Sequence, residues 1–198
     1  MAADYFVCRF SAEIPAAVRD RYSSAMNKTL RRLDSIHSKL VDTITPVEDS
    51  LFSRSPADEE WSIAEIVHHL CLVEERVIKE LETELAKPPR SIPFLRKFIP
   101  TSIVASRLLR VKAPKGVNPR NPPARAEVIA NYAAVRRRLK ELCSTHGGNR
   151  LKQVIFKHPF LGQIDGTATI SFIGYHELRH YKQIREVIKK LERSSSPV

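Results

Sequence analysis

The sequence predicts an all-α protein, a four-helix bundle with one long connection between its second and third helices. Four long segments carry apolar residues at spacings of three and four, the repeat that lines one face of a helix. Patterns typical of strands are few, and such helices bury their apolar faces against one another in a bundle. The length of 198 residues suits one core, so residues 1–198 are interpreted as a single domain.

The composition is that of an ordinary soluble protein, with 42% hydrophobic and 28% charged residues. The net charge of +11 indicates either an anionic partner, such as nucleic acid or a membrane surface, or a solvated basic surface. No apolar stretch reaches the roughly 18 residues of a membrane span, and no apolar signal segment stands at the start. A cytoplasmic protein is therefore expected.

Cysteine usage agrees with that compartment. Cys8, Cys71 and Cys143 are widely spaced and odd in number, which argues against a secreted disulfide framework. Since Cys71 and Cys143 fall in helical patterns, buried or unreactive thiols are predicted rather than a nucleophile.

The first two helices have clear boundaries in the sequence. The first helix is predicted from about Pro15 to Ile44, followed by a polar, acidic loop over residues 46–60. The second helix begins with a capping box, in which Ser62 and Glu65 satisfy each other's backbone amides, and it continues to about Ala86. This capping role argues against Glu65 as a catalytic carboxylate.

Residues 87–125, here called the basic crossover, differ from the rest of the chain. They contain no Asp or Glu, ten basic residues and eight of the 13 prolines. A connection of this length is usually functional or mobile. The segment is interpreted either as a lid or basic patch for an anionic ligand, or as a long connection with solvated charge. Within it, Ile103–Leu109 is predicted to form a short amphipathic helix.

The last two helices follow the crossover. The third helix is predicted to open at Pro122-Pro123 and to end at a glycine cap over His146-Gly147-Gly148. A short extended piece is expected at Val154–Phe156 within an otherwise irregular connection. The fourth helix is predicted from near Thr167 to about Glu192. A crossover between the second and third helices allows these two helices to run parallel.

The fourth helix carries the sequence HELRH, in which His176 and His180 are one turn apart. His180 falls inside the apolar stripe, His176 lies on its edge beside Gln183, and Glu177 projects toward the stripe. Burial of unpaired polar groups costs a few kcal/mol each, and a divalent metal would satisfy them together. The alternative is a histidine pair with ordinary hydrogen bonds.

A third ligand is predicted on the second helix. His69 lies on the edge of that helix's stripe beside Ile66 and Val73, whereas His68 falls nearer the opposite face and is expected at the surface. Three histidines would leave one coordination position for water, which is the pattern of catalytic rather than structural sites.

HELRH also matches the H-E-x-x-H signature of zinc peptidases, in which the glutamate is the general base. The histidine extension of one peptidase class is missing. The extra glutamate of another class would have to come from a different helix, whereas Glu186 and Glu192 lie on the fourth helix itself. The peptidase interpretation is therefore disfavoured.

Three segments together resemble the DinB-like family, which includes the YfiT-type hydrolases: WSIAEIVHHL (61–70), HPFLGQI (158–164) and HELRHYKQI (176–184). The resemblance implies a four-helix bundle, often dimeric, that binds nickel or zinc through three histidines. Trp61 stands eight residues before His69, as in the family, which selects His69 over His68. The basic crossover has no counterpart that could be placed on the family.

Three functions are compatible with these residues. The first is a metal-dependent hydrolase in which His69, His176 and His180 hold an ion that lowers the pKa of water toward about 7. Glu177 would handle the proton or orient a histidine. Gln183 would support the ligand histidines from outside the coordination shell. The second, implied by the family, is a transferase using a small thiol such as mycothiol or bacillithiol. The third is a non-enzymatic protein that binds nucleic acid or an anionic membrane through the crossover.

Overall fold

The structure is a computed structural model that describes residues 16–90, 101–105, 116–158 and 161–195. Four long helices build a bundle, accompanied by a short helix and a two-stranded sheet. The elements are α1 (Ala16–Ile44), α2 (Asp49–Phe52), α3 (Ile63–Leu85), α4 (Arg125–Lys152), β1 (Ile155–His158), β2 (Gly162–Asp165) and α5 (Gly166–Ser195). A 3₁₀ helix, Thr101–Ala105, packs against α5. The predicted four-helix bundle is confirmed.

The contacts give the direction of the middle helices. Near the start of both, the Cys71 thiol of α3 faces the Val128 carbonyl of α4, and near their ends Arg150 donates to the Leu85 carbonyl. Helices α3 and α4 are therefore parallel. The basic crossover makes this possible, because parallel neighbours cannot be joined by a short turn.

The outer pair, α1 and α5, also runs parallel. The guanidinium of Arg32 lies over the Tyr175 ring, and Leu40 and Ile44 share an apolar cluster with Ile184, Val187 and Leu191 further along both helices. Helix α1 is antiparallel to α4, since Lys140 pairs with Asp34 whereas Arg125 donates to the Ile44 carbonyl. The bundle is thus up-down-down-up.

Three sequence predictions need correction. The predicted loop 46–60 contains α2, which forms because Phe52 is completely buried. The third bundle helix starts at Arg125 rather than at Pro122, because a residue before proline is held extended. The predicted break at Gly147 is present, with φ 68° and ψ 163°, but helical structure then resumes to Lys152 where an irregular connection was expected.

The connection before α5 is more regular than predicted. The expected extended piece is β1, which pairs antiparallel with β2, so that Phe156 lies opposite Ile164. Asp165 then begins α5 by accepting hydrogen bonds from the Ala168 amide and the Thr167 hydroxyl. The structure therefore adds a small hairpin to the predicted fold.

Both ends of the basic crossover are fixed to the bundle. At its start, the Arg90 amide donates to the Gln153 carbonyl. At its end, Arg125 donates to the carbonyls of Ile44, Thr45 and Val47 at the end of α1. The predicted helix Ile103–Leu109 is met in part by the 3₁₀ helix, and its positions 106–109 lie outside the described residues.

Hydropathy gives no candidate for membrane insertion: within the described ranges, each helix is too short or too polar to span a bilayer.

Candidate metal centre

Three imidazoles from two helices meet at one point. His69 comes from α3, and His176 and His180 come from α5. The Nε2 atom of His176 lies 3.4 Å from Nε2 of His69 and 3.2 Å from Nε2 of His180. One ligand atom from each ring lies within 4.8 Å of the others. The structure therefore brings together the three residues that the sequence singled out as ligands.

These distances fit a divalent ion. Two nitrogens bound at 2.0–2.1 Å to a tetrahedral zinc ion lie about 3.3–3.4 Å apart. The measured Nε2 separations of 3.2 and 3.4 Å are close to that value. Three imidazole nitrogens also form a donor set suited to zinc or nickel.

In His69 and His180 the second ring nitrogen, Nδ1, faces a hydrogen-bond acceptor of the protein. His69 Nδ1 lies 2.6 Å from the Val117 carbonyl oxygen, and His180 Nδ1 lies 2.8 Å from Gln183 Oε1. A carbonyl oxygen accepts only, so His69 carries its proton on Nδ1 and presents a lone pair on Nε2. Gln183 favours the same tautomer in His180. Hydrogen bonds of this kind orient the histidine ligands of metal sites.

Without an ion, this arrangement is poorly satisfied. With Nδ1 protonated in both His69 and His180, two Nε2 lone pairs face His176. The Nε2–H of a neutral His176 could donate to one of them but not to both. A cation at the centre would satisfy all three nitrogens, which supports the metal interpretation over ordinary hydrogen bonding.

Local sequence explains why these rings are in place. The predicted capping box is present, with Ser62 accepting from the Glu65 amide and Glu65 accepting from the Ser62 amide, so α3 starts at a fixed residue. Trp61, just before this cap, packs its ring 4.9 Å from that of His69 and 6.3 Å from that of His180. The indole therefore covers one side of the centre. His69 and His180 are buried, whereas His176 is partly exposed.

The surroundings favour the neutral form of His69 and of His176. Burial lowers the pKa of His69, and the hydrogen bond to Val117 opposes this shift in part. Burial and the neighbouring His180 and His69 lower the pKa of His176 well below its usual value. Neutral imidazole is the form that binds metal, so His69 and His176 remain available to an ion at pH values below the ordinary histidine pKa.

Glu177 lies in a buried ionic network. Its Oε1 accepts from Arg136 Nη2 at 3.0 Å and from the Tyr132 hydroxyl. Arg136 also forms two hydrogen bonds with Glu74, 2.9 and 3.1 Å long, and donates to the Leu33 carbonyl at 3.1 Å. Arg136 therefore joins all four bundle helices. Burial and the negative charge of Glu74 raise the pKa of Glu177 well above its usual value.

Sequence reasoning missed this network. Arg136 stands in the run RRR and Glu74 in the pair EE, both of which are typical of solvated surfaces. The available signal was helical spacing: Arg136 follows the stripe residue Tyr132 by four, and Glu74 follows Leu70 by four. His37 was also missed, and its ring stacks on Tyr132 at 4.2 Å with Nδ1 3.6 Å from Glu177 Oε1.

The remaining candidates lie apart from the three converging nitrogens. His68 is half-buried rather than exposed as predicted, since its Nδ1 is enclosed. His158 accepts a hydrogen bond from the Leu161 amide and packs edge-on against Phe172. Burial raises the thiol pKa of Cys71 and Cys143 to about 12, which makes both poor nucleophiles.

Comparison with known sequences gives the family. Residues 32–184, which include the three histidines, match the DinB superfamily. The chain belongs to the DinB superfamily. The resemblance found in the three motif segments is thereby confirmed.

Two of the proteins that this chain resembles come from Bacillus subtilis. The uncharacterized protein YuaE of Bacillus subtilis (strain 168) is 26% identical over 149 residues, which cover 75% of this chain and 90% of YuaE. The solved structure of YfiT from Bacillus subtilis, described as a probable metal-dependent hydrolase with an unusual four-helix bundle topology, aligns with a TM-score of 0.59. The alignment has 17% identity and covers 84% of this chain and 87% of YfiT.

A second solved structure shares the fold. TT2238, described as a four-helix bundle protein, aligns with a TM-score of 0.55 and 18% identity, covering 81% of this chain and 98% of TT2238. At these identities the two structures show the four-helix-bundle fold and leave the activity to be argued from the site.

Proposed function

We propose that this DinB-superfamily protein is a metal-dependent hydrolase whose ion is held by His69, His176 and His180. The observation that supports this proposal is the convergence of three imidazoles, in which Nε2 of His176 lies 3.4 Å from Nε2 of His69 and 3.2 Å from Nε2 of His180, both close to the nitrogen separation around one tetrahedral ion. The description of YfiT as a probable metal-dependent hydrolase supports the same reaction class. Nickel and zinc are the proposed ions, because imidazole is a ligand that suits both.

The bound ion would supply Lewis acidity, which makes a water molecule nucleophilic near neutral pH and polarises a carbonyl group. Three protein ligands leave a coordination position open, as in catalytic centres. The chain's own residues do the rest. Val117 and Gln183 hold two of the rings in the required tautomer. Trp61 covers their other side and excludes solvent there.

Substrate is expected to approach from the side of His176. This ring is partly exposed, whereas His69 and His180 are buried. Val117, in the basic crossover, contacts the centre through its carbonyl oxygen, so that segment lies close enough to influence what reaches the ion. A small-molecule substrate is proposed, since Trp61 and Val117 pack against the rings and confine the space around them.

The test is a hydrolysis screen with metal-free protein reconstituted with zinc or nickel. A panel of chromogenic esters and amides is assayed with and without an added low-molecular-weight thiol. We expect thiol-independent turnover by the reconstituted protein and none by His176→Ala/His180→Ala. Turnover that requires the thiol would replace the hydrolase with the thiol transferase that the sequence left open. Turnover retained by the double variant would contradict the proposed centre.

The homodimer and the cytoplasmic location remain predictions of the sequence and the family resemblance. A mass measurement in solution by light scattering tests the dimer directly, with a mass of twice the 22.5 kDa chain as the expected result.

A further inference from the structure

The carboxylate of Glu177 is held by one oxygen only. Glu177 is 1% exposed, and Arg136 and Tyr132 both donate to Oε1. Oε2 is buried and accepts no hydrogen bond from any residue in the described part of the chain. A buried carboxylate oxygen without a donor is unfavourable, because its hydration has been lost without replacement. Oε2 therefore requires a partner.

A small cavity lies beside this carboxylate. Its volume is about 10 Å³, which is room for one water molecule. Buried waters need two to four polar partners, and this wall supplies carboxylate, phenol and imidazole groups. The lining residues are Leu70, Val73, Glu74, Tyr132, Ile173, His176 and Glu177.

Within the described part of the chain, no residue contacts Nδ1 of His176 as Val117 and Gln183 contact the other two histidines. His69 has the Val117 carbonyl at Nδ1, and His180 has the Gln183 amide oxygen. Nε2 of His176 faces the other two rings, so Nδ1 is its remaining polar atom. Histidine ligands almost always donate this second N–H to a carboxylate, a carbonyl or a water.

We propose that one water molecule in this cavity accepts the Nδ1–H of His176 and donates to Glu177 Oε2. Glu177 is then a positioning residue for the third histidine rather than the general base of a peptidase. Arg136, itself fixed by Glu74 and by the Leu33 carbonyl, holds the carboxylate in place. The inference rests on the proposed metal centre. It assigns a hydrogen-bond partner to Nδ1 of His176, the histidine for which the direct contacts supply none.

Zinc affinity of the full-length protein, measured by competition with a chromogenic chelator, tests the inference. Glu177→Gln keeps the size of the side chain. If its amide oxygen faces Arg136 and Tyr132, its NH₂ group faces the cavity and cannot accept from the water. We expect zinc affinity to fall by about 10- to 100-fold, as when outer partners of zinc sites are removed. Glu75→Gln, an exposed carboxylate on α3, is the matched control and should change affinity less than about 2-fold.

A second variant leaves every charge in place. Val73→Ile adds one methyl group to the cavity wall and should displace the water without altering Glu177. We expect it also to weaken zinc binding. This test remains valid even if Glu177→Gln fails to fold. A crystal structure of the zinc-loaded protein should show one water within about 3 Å of both His176 Nδ1 and Glu177 Oε2.

The possible failures can be told apart. If His176→Ala abolishes zinc binding while Glu177→Gln and Val73→Ile bind within 2-fold of the unmodified protein, the inference is overturned and the metal centre stands. A cavity without water in the zinc-loaded crystal structure would also overturn the inference and leave the metal centre standing. If the unmodified protein binds no zinc or nickel, the metal centre and this inference fail together.

Discussion

The Nδ1 nitrogen of His69 lies 2.6 Å from the carbonyl oxygen of Val117, so a proposed metal ligand and the basic crossover share a hydrogen bond. The Val117 side chain is 3% exposed, which fixes that carbonyl in space. Loop-borne groups positioned by a rigid scaffold are common in binding sites. Here the crossover contributes to the centre through its backbone rather than through its basic side chains.

Metal binding should therefore stabilise the end of the crossover. An ion on Nε2 keeps the His69 proton on Nδ1, so the hydrogen bond to Val117 always has its donor. We expect slower amide hydrogen exchange around residues 116–118 when zinc is added. Mass spectrometry of peptides over 116–124 measures it, with residues 49–60 as the reference region. Stoichiometric zinc binding without any change at 116–118 would refute this coupling.

Gln183 offers a direct test of the outer partner of His180. Gln183→Ala removes the acceptor that lies 2.8 Å from Nδ1, so the ring is less well oriented and zinc affinity should fall by about 10- to 100-fold. Isothermal titration of the metal-free protein measures this. Lys182→Ala, an exposed neighbour on α5, should bind zinc like the unmodified protein. Equal affinities for both variants would show that Gln183 does not support the ligand.

Arg136 should be far more important for stability than its neighbours in the RRR run. Arg136→Met leaves Glu74 and Glu177 buried without a cation, and breaking such a buried pair costs about 3–5 kcal/mol. Arg138→Met is the matched control, since Arg138 is 52% exposed and its ion pair with Glu82 should contribute less than about 1 kcal/mol. Urea unfolding of both variants gives the two free energies, and similar losses would contradict the assigned network.

The convergence of the three histidines was predictable from sequence because their positions follow helical geometry. His176 and His180 are one turn apart, and His69 sits on the edge of a regular apolar stripe. The outer acceptors were predictable only where they are local: Gln183 is three residues from His180, whereas Val117 is 48 residues from His69. Every residue has a backbone carbonyl, so the sequence could not indicate that the carbonyl of Val117 contacts His69.

Elements of the fold were likewise predictable where the sequence signal is local, and were missed where tertiary burial decides. Helix positions followed from periodicity and from the Ser62 cap, whose contacts lie within three residues. Helix α2 was missed because four residues carry no periodic signal and Phe52 is fixed by tertiary burial. Arg136 was missed because composition suggested a surface, although its helical position placed it in the core.

His37 and His158 should each destabilise the metal-free protein as the pH falls. Burial lowers the pKa of His37 and of His158 to about 4, from about 6.5 in an unfolded chain. Between these values the two histidines bind more protons in the unfolded state, so their contribution to the free energy of unfolding falls as the pH drops from 6.5 toward 4. Each group contributes at most about 1.4 kcal/mol per pH unit in that window.

Urea unfolding between pH 7.5 and 5 measures that dependence. His37→Phe keeps the stacking on Tyr132 and removes the titrating group, so its pH slope should be shallower than that of the unmodified protein. His146→Gln, at an exposed position, is the matched control. A slope unaffected by His37→Phe would show that His37 does not contribute.

Metal content is the most direct test of the central claim. Purified protein, stripped and reconstituted with zinc or nickel, is measured by elemental analysis beside His69→Ala, His176→Ala/His180→Ala and the exposed control His146→Ala. We predict about one ion per chain in the unmodified protein and in His146→Ala, a sharp loss in His69→Ala, and none in the double variant. Equal metal content in all four proteins, or no metal in any of them, would contradict a centre built on these three histidines.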